Sequence, residues 1–264
     1  MFPIIPANSA TAGSQENSEG IFGYGYHGSK VSMTNLVSNV GVVSTDVTGV
    51  GTAREGLAAC EYGEDKGIFG FGNHDGGKQN MTNLVTNAGV VGTDVAGVGT
   101  ARSWLAACSY DGDKGIFGYG GGAGKVSMTN LVSNAGVVAT DTTGVGTARN
   151  SLAACEYGGD KGIFGFGTDG SDASMTNLVS NAGVVATDTA GVGTARKHLA
   201  ACNYGEDKGI FGFGYISSSV DETNLVSNVG VVSTDVTGVG TDRYYLSATQ
   251  YGGDKGIFAY GYAP

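Results

Sequence analysis

The sequence predicts an all-β fold built from one repeated unit, and three observations carry that prediction. Thr-Asn-Leu-Val recurs at Thr34, Thr82, Thr129, Thr176 and Thr223, with spacings of 48, 47, 47 and 47. No window holds apolar residues at helical i, i+3, i+4 spacing over three turns. Gly makes up 49 of 264 residues and punctuates short apolar runs at regular intervals, as turns between strands do. With 3 Pro and no Gly at every third position the chain is not collagen-like. With 41% apolar and only 14% charged residues it does not have the composition of a disordered chain.

The unit reads TNLV-x-N-x-GVV-x-TD-x-x-GVGTAR-x-x-LAA-x-x-Y and then DKGIFGFG. Each element of it is expected to be a strand or a turn. The small-residue run Leu105–Cys108 is the first strand, and KGIFGFG, with Ile and Phe between glycines, the second. MTNLVSN is the third, GVVxTD continues it or forms a fourth, and GVGTAR is a connection. Gly-Ile-Phe appears six times, at Gly20, Gly67, Gly115, Gly162, Gly209 and Gly256. Residues 9–20 align without gaps to SLAACEYGGDKG and read as a degenerate first half-unit. A period of 47 fits one four-stranded propeller blade, for which about 40–50 residues is usual; a β-solenoid is the more distant alternative. The repeats divide the single domain, residues 1–264, at about 7–53, 54–101, 102–148, 149–195, 196–242 and 243–264. Six Gly-Ile-Phe strands against five Thr-Asn-Leu-Val strands predict five blades, the C-terminal strands completing a blade begun by the N-terminal segment. Six blades is the alternative, and it lacks a last pair of outer strands.

The order of residues resembles the kelch repeat. Arg102, the small-residue strand Leu105–Cys108, the run Asp113-Lys114-Gly115-Ile116-Phe117-Gly118-Tyr119-Gly120, a variable loop, Thr129-Asn130-Leu131-Val132, Asp141 and the next Arg149 follow one another as kelch elements do. Two features depart from that pattern: the Gly-Gly doublet stands here as Gly-x-Gly, and the late Trp is absent. The resemblance implies a propeller and leaves function almost untouched. Copies so alike are also similar in style to the repeat arrays of phage and other virion-associated proteins.

Lys plus Arg is 14 and Asp plus Glu is 24, a net charge of −10 with no basic cluster, which disfavours nucleic acid and anionic lipid as partners. No apolar run approaches the roughly 20 residues of a membrane helix, and the first residues lack the charged and apolar regions of a signal peptide. The chain is expected to be cytoplasmic or virion-associated, without membrane insertion.

Charges and thiols that recur in every unit are expected to serve the fold. Cys60, Cys108, Cys155 and Cys202 occupy one repeat position and are expected to be small buried side chains, with no CxxC to suggest a metal. The series beginning at Arg54, Arg102 and Asp94, Asp141 reads as Asp capping turns and Arg bracing adjacent units, or alternatively as a ring of Arg that lines a central channel and binds an anion. No GxSxG, HExxH or Ser/His/Asp set is present, so no catalytic residue, metal or cofactor is assigned.

The copies differ in two places. One is the residue pair after each Arg: Glu55-Gly56, Ser103-Trp104, Asn150-Ser151, Lys197-His198 and Tyr244-Tyr245. The other is the loop after the Gly-aromatic-Gly strand, which holds His27, His74 and Tyr215. In an antiparallel blade successive connections alternate between two faces, and both variable places fall on the same one. Drift accounts for variability there but not for its aromatic content. The candidate binding residues are therefore Trp104, Tyr244, Tyr245, Lys197, His198, His27, His74 and Tyr215, with a protein or a carbohydrate as partner and solvent-facing side chains expected. A non-catalytic binding module is the first functional reading; a structural building block of a virion or extracellular assembly is the second.

Overall fold

In the computed structural model, which describes residues 18–264, the chain is all-β and no described residue is helical. The strands in order are β1 (Gly20–His27), β2 (Ser29–Val37), β3 (Ala58–Tyr62), β4 (Lys66–Gly70), β5 (Asn73–His74), β6 (Gly77–Lys78), β7 (Thr82–Val85), β8 (Ala106–Tyr110) and β9 (Lys114–Gly118). They continue with β10 (Thr129–Val132), β11 (Ala153–Tyr157), β12 (Lys161–Gly165), β13 (Thr176–Val179), β14 (Ala200–Tyr204), β15 (Lys208–Tyr215), β16 (Ser219–Val226), β17 (Ser247–Tyr251) and β18 (Lys255–Ala259). We number the units 1 to 6 by their Gly-Ile-Phe copies. Residues 9–17 of the degenerate half-unit lie outside the described residues.

Units 2 to 5 each form a three-stranded antiparallel sheet. An inner strand (the Ala-Ala-Cys run) pairs with a middle strand (Gly-Ile-Phe), which pairs with an outer strand (Thr-Asn-Leu-Val). The register repeats: Cys108 faces Ile116, and Ile116 faces Leu131; Cys155 faces Ile163, and Ile163 faces Leu178. The anticipated fourth strand is reduced to two bridges per unit, such as Thr129 with Thr142 and Val132 with Val138. The Gly-Val-Val-x-Thr-Asp run has too few ladder bonds to form more than a hairpin return.

Adjacent units are keyed together by aromatic side chains. Phe71 of unit 2 packs on Phe117 of unit 3 at 5.2 Å, Tyr119 on Phe164 at 5.2 Å, Phe166 on Phe211 at 5.2 Å and Phe213 on Phe258 at 5.4 Å. Unit 1 joins unit 2 through Tyr24 and Phe69. Unit 6 joins unit 1 through Tyr260 and Phe22, 5.4 Å apart. A second series of bonds agrees. The amides of Gly63, Asp111, Gly158 and Gly205 donate to the carbonyls of Asp113, Asp160, Asp207 and Asp254 in the following unit, and that of Gly252 donates to Ser18. The same kinds of contact thus also link unit 6 to unit 1. The C-terminal strands, expected to complete a blade begun by the N-terminal segment, form a sheet of their own, β17–β18, separate from β1–β2 among the described residues. They meet face to face, with Gly20 against Thr249, and are not paired edge to edge.

The core lies between sheets, and glycine sets the spacing. A Cβ on Gly115 would stand 2.5 Å from the Cys60 sulfur, and one on Gly162 would stand 2.5 Å from that of Cys108. The thiols fill the volume left by the missing side chains, and all four are free.

The recurring charges brace each unit and tie it to the preceding one. Arg102 is fully buried. Its Nε donates to the Tyr119 carbonyl at 2.8 Å, and its Nη2 to Asn130 Oδ1 at 2.6 Å. Its guanidinium lies 4.2 Å over the ring of Phe71 in the preceding unit. Asp141 accepts from the Thr100 amide, the Thr100 hydroxyl and Asn130. Burial alone would raise its pKa, but these bonds and the neighbouring Arg102 outweigh burial and hold it below the usual range. The same set recurs around Arg54, Arg149 and Arg196, so these arginines bind no external anion.

Candidate functional site: an aromatic mouth

Both variable places lie on one face and touch. Each residue that follows an Arg bridges the first residue of the loop after the middle strand: Glu55 with Asn73, Ser103 with Gly121, Asn150 with Thr168, Lys197 with Tyr215, and Tyr244 with Tyr262. The opposite face carries the constant turns, where Asn134 Nδ2 donates to Asp113.

The second residue after each Arg is held in the left-handed region, with φ of 60° at Gly56, 58° at Trp104, 56° at Ser151, 56° at His198 and 57° at Tyr245. Non-glycine residues rarely adopt it. The compensation is a relay of backbone bonds from unit to unit: Trp104 N to Gly56 O, Ser151 N to Trp104 O, His198 N to Ser151 O, and Tyr245 N to His198 O. This relay draws the five side-chain positions together although about 47 residues separate successive members.

An aromatic cluster results. His198 lies 4.1 Å from Tyr245, Trp104 lies 5.3 Å from Tyr245 and 5.9 Å from His198, and Tyr244 lies 4.9 Å from both Tyr245 and Tyr215. Gly56 is the small member that makes room, since a Cβ there would sit 3.0 Å from the indole of Trp104. Tyr245 is 49% exposed, whereas Trp104, His198 and Tyr244 are half-buried against their neighbours. The expectation of fully solvent-facing side chains is corrected to that extent.

Burial first, and then the positive charge of Lys197, push the His198 imidazole down to about 4, against an opposing pull from Asp172. The ring is therefore neutral at physiological pH, and its Nδ1 is buried without a hydrogen-bond partner. Burial also raises the Tyr245 phenol, assisted by Tyr244 and Glu55. Lys197 pairs with Asp172 at 2.8 Å and lies 5.7 Å over the Tyr215 ring.

Six of the eight residues singled out from sequence are thus joined: Trp104, Lys197, His198, Tyr215, Tyr244 and Tyr245. His27 is exposed at the end of β1. His74 contacts the Ala53 carbonyl through Nδ1. Neither histidine shares a ring contact with the cluster among the described residues. Tyr262 was missed. It packs on Tyr244 at 5.5 Å and is 56% exposed, and its place was readable from the repeat register that sets it opposite Tyr244.

Beside the inner strands is a cavity of about 120 Å³, lined by residues such as Cys108, Glu156, Asn203 and Gln250. Among the described residues no group of three or more His, Cys, Asp or Glu is arranged to hold a metal ion, and no helix is long and apolar enough to cross a membrane.

No family model matches this chain, and neither does any curated protein.

Proposed function

We propose that the six units form a closed, kelch-like β-propeller and that the protein is a non-catalytic binding module whose aromatic mouth takes a glycan. The six-member succession of contacts supports the propeller. The observation that carries the function is the convergence of Trp104, His198, Tyr215, Tyr244, Tyr245 and Tyr262 at the one face where the copies differ. Core packing does not require these rings, because Gly56 and Ser151 fill equivalent positions.

The chemistry favours a neutral, hydroxylated ligand. The nearby charges neutralise one another in the pairs Lys197–Asp172 and Lys30–Asp75. What remains is aromatic surface bearing phenol hydroxyls, which stacks on sugar faces and bonds to their hydroxyls with little side-chain entropy to lose.

The sole Trp of the chain, Trp104, makes its emission a direct reporter. Titration with a saccharide panel is expected to shift that emission saturably. Replacing Tyr245 and Tyr262 with Ala should weaken binding by about 1–3 kcal/mol while leaving Tm nearly unchanged. Saccharides that leave Trp104 emission unchanged, while a protein ligand shifts it, would move the assignment to a protein partner.

One observation favours the second reading, an assembly block. The constant face repeats exposed valines at its turns, among them Val90 at 60%, Val137 at 65%, Val184 at 65% and Val231 at 63%. Concentration-dependent association in light scattering without any ligand supports that reading.

A further inference from the structure

Five of the six Gly-Ile-Phe strands carry a Thr-Asn-Leu-Val strand on their outer edge; β18 does not, and among the described residues it pairs only with β17. A second irregularity lies beside it. In units 2 to 5 the buried Arg gives Nε to an aromatic carbonyl and Nη2 to the outer-strand Asn, the latter at 2.5–2.7 Å. In unit 6 Arg243 keeps its stacking, 4.8 Å over Phe213, but its Nε is buried with no hydrogen-bond partner. Among the described residues the sixth unit therefore presents a row of unpaired backbone donors and acceptors and, beside it, a half-buried arginine whose buried Nε lacks a partner and whose usual asparagine is missing. An unpaired edge of this kind is a template for strand addition.

We propose that the β18 edge accepts, in trans, an extended segment of a second polypeptide that carries the chain's own outer-hairpin sequence, T-N-L-V-x-N-x-G-V-V-x-T-D. The repeat supplies the register: Val opposite Gly256, Leu opposite Ile257, Asn opposite Phe258, and Thr opposite Ala259, as in units 4 and 5. The incoming Asn accepts from Arg243. The second Asn of the segment reaches Asp254, as Asn134 and Asn228 reach Asp113 and Asp207.

Ala259 refines the specificity. At the equivalent Gly165 and Gly212 an added Cβ would come within 3.2 and 3.3 Å of the Thr Cγ2 on the pairing strand. The methyl of Ala259 crowds a Thr Cγ2 at that one position of the partner, and a Ser there relieves the contact.

The test uses the full chain and a fluorescent peptide of residues 125–143 with Thr129→Ser, followed by anisotropy. Saturable binding of one peptide per chain is expected, together with slowed amide exchange at Ile257. Adding Asn130→Ala to the peptide should weaken binding at least tenfold, and this difference should vanish on an Arg243→Gln chain. If that chain does not fold, the comparison of peptides on the native chain, with exchange at Ile257, decides alone. Absence of saturable binding, as when residues 1–17 of the chain hold the edge, overturns the proposal. So does binding that is indifferent to the peptide Asn.

Discussion

Glu156 is the residue whose environment most contradicts its type. It lies on an inner strand beside the cavity, 4% exposed, with neither carboxyl oxygen hydrogen-bonded. Burial, aided by the nearby charge of Asp160, pushes its pKa up to about 8 from the ordinary 4.5. The folded state therefore keeps a proton that the unfolded chain releases. That preference stabilises the fold fully below pH 4.5 and is lost as the pH rises through about 8. Glu156→Gln, which imitates the protonated form, should remove this slope. The variant should be more stable than the parent at pH 9 by up to a few kcal/mol, at about 1.4 kcal/mol per pKa unit. Chemical denaturation across pH 5–9 (roughly the window of that titration) checks it, and parallel curves for the two proteins would show that Glu156 is ionised in the fold.

At the scale of the element, the strand and its neighbour are matched by volume. Gly115 on a middle strand and Cys60 on the preceding inner strand share one space. Gly115→Ala should destabilise by about 1–3 kcal/mol, as overpacking usually does. Cys60→Ala opens room for the new methyl, so the double variant should be less destabilised than the sum of the singles. Strict additivity in urea unfolding would contradict the shared volume. The existence and order of the three regular strands were legible from sequence because the Gly-Ile-Phe and Thr-Asn-Leu-Val motifs recur intact. The weakness of the fourth was not legible, because Val43 and Val47 look as strand-forming as any residue while making only isolated bridges. The role of Cys as a small buried side chain was legible, but Gly was read as punctuation between strands, and which Gly meets which Cys depends on the stacking of units.

The face that carries Trp104, Tyr244 and Tyr245 was readable at the scale of the whole molecule, because alternation of connections in an antiparallel sheet fixes it. The relay that gathers Trp104, His198 and Tyr245 was not, since it depends on left-handed backbone at positions where the sequence has Trp, Ser, His and Tyr as well as Gly. Nor was the contact between the two ends of the chain, which meet as separate sheets with Gly20 against Thr249. The most direct test is the ring contact between Phe22 and Tyr260, 5.4 Å apart in the structure. Selective labelling of Phe and Tyr rings, with Tyr260→Phe to assign the signal, makes that contact measurable as a nuclear Overhauser effect. A cross-peak of intensity comparable to that of Phe213 with Phe258 is the predicted result. Its absence while the Phe213–Phe258 peak persists would contradict the proposed six-member closure and the site assembled on it.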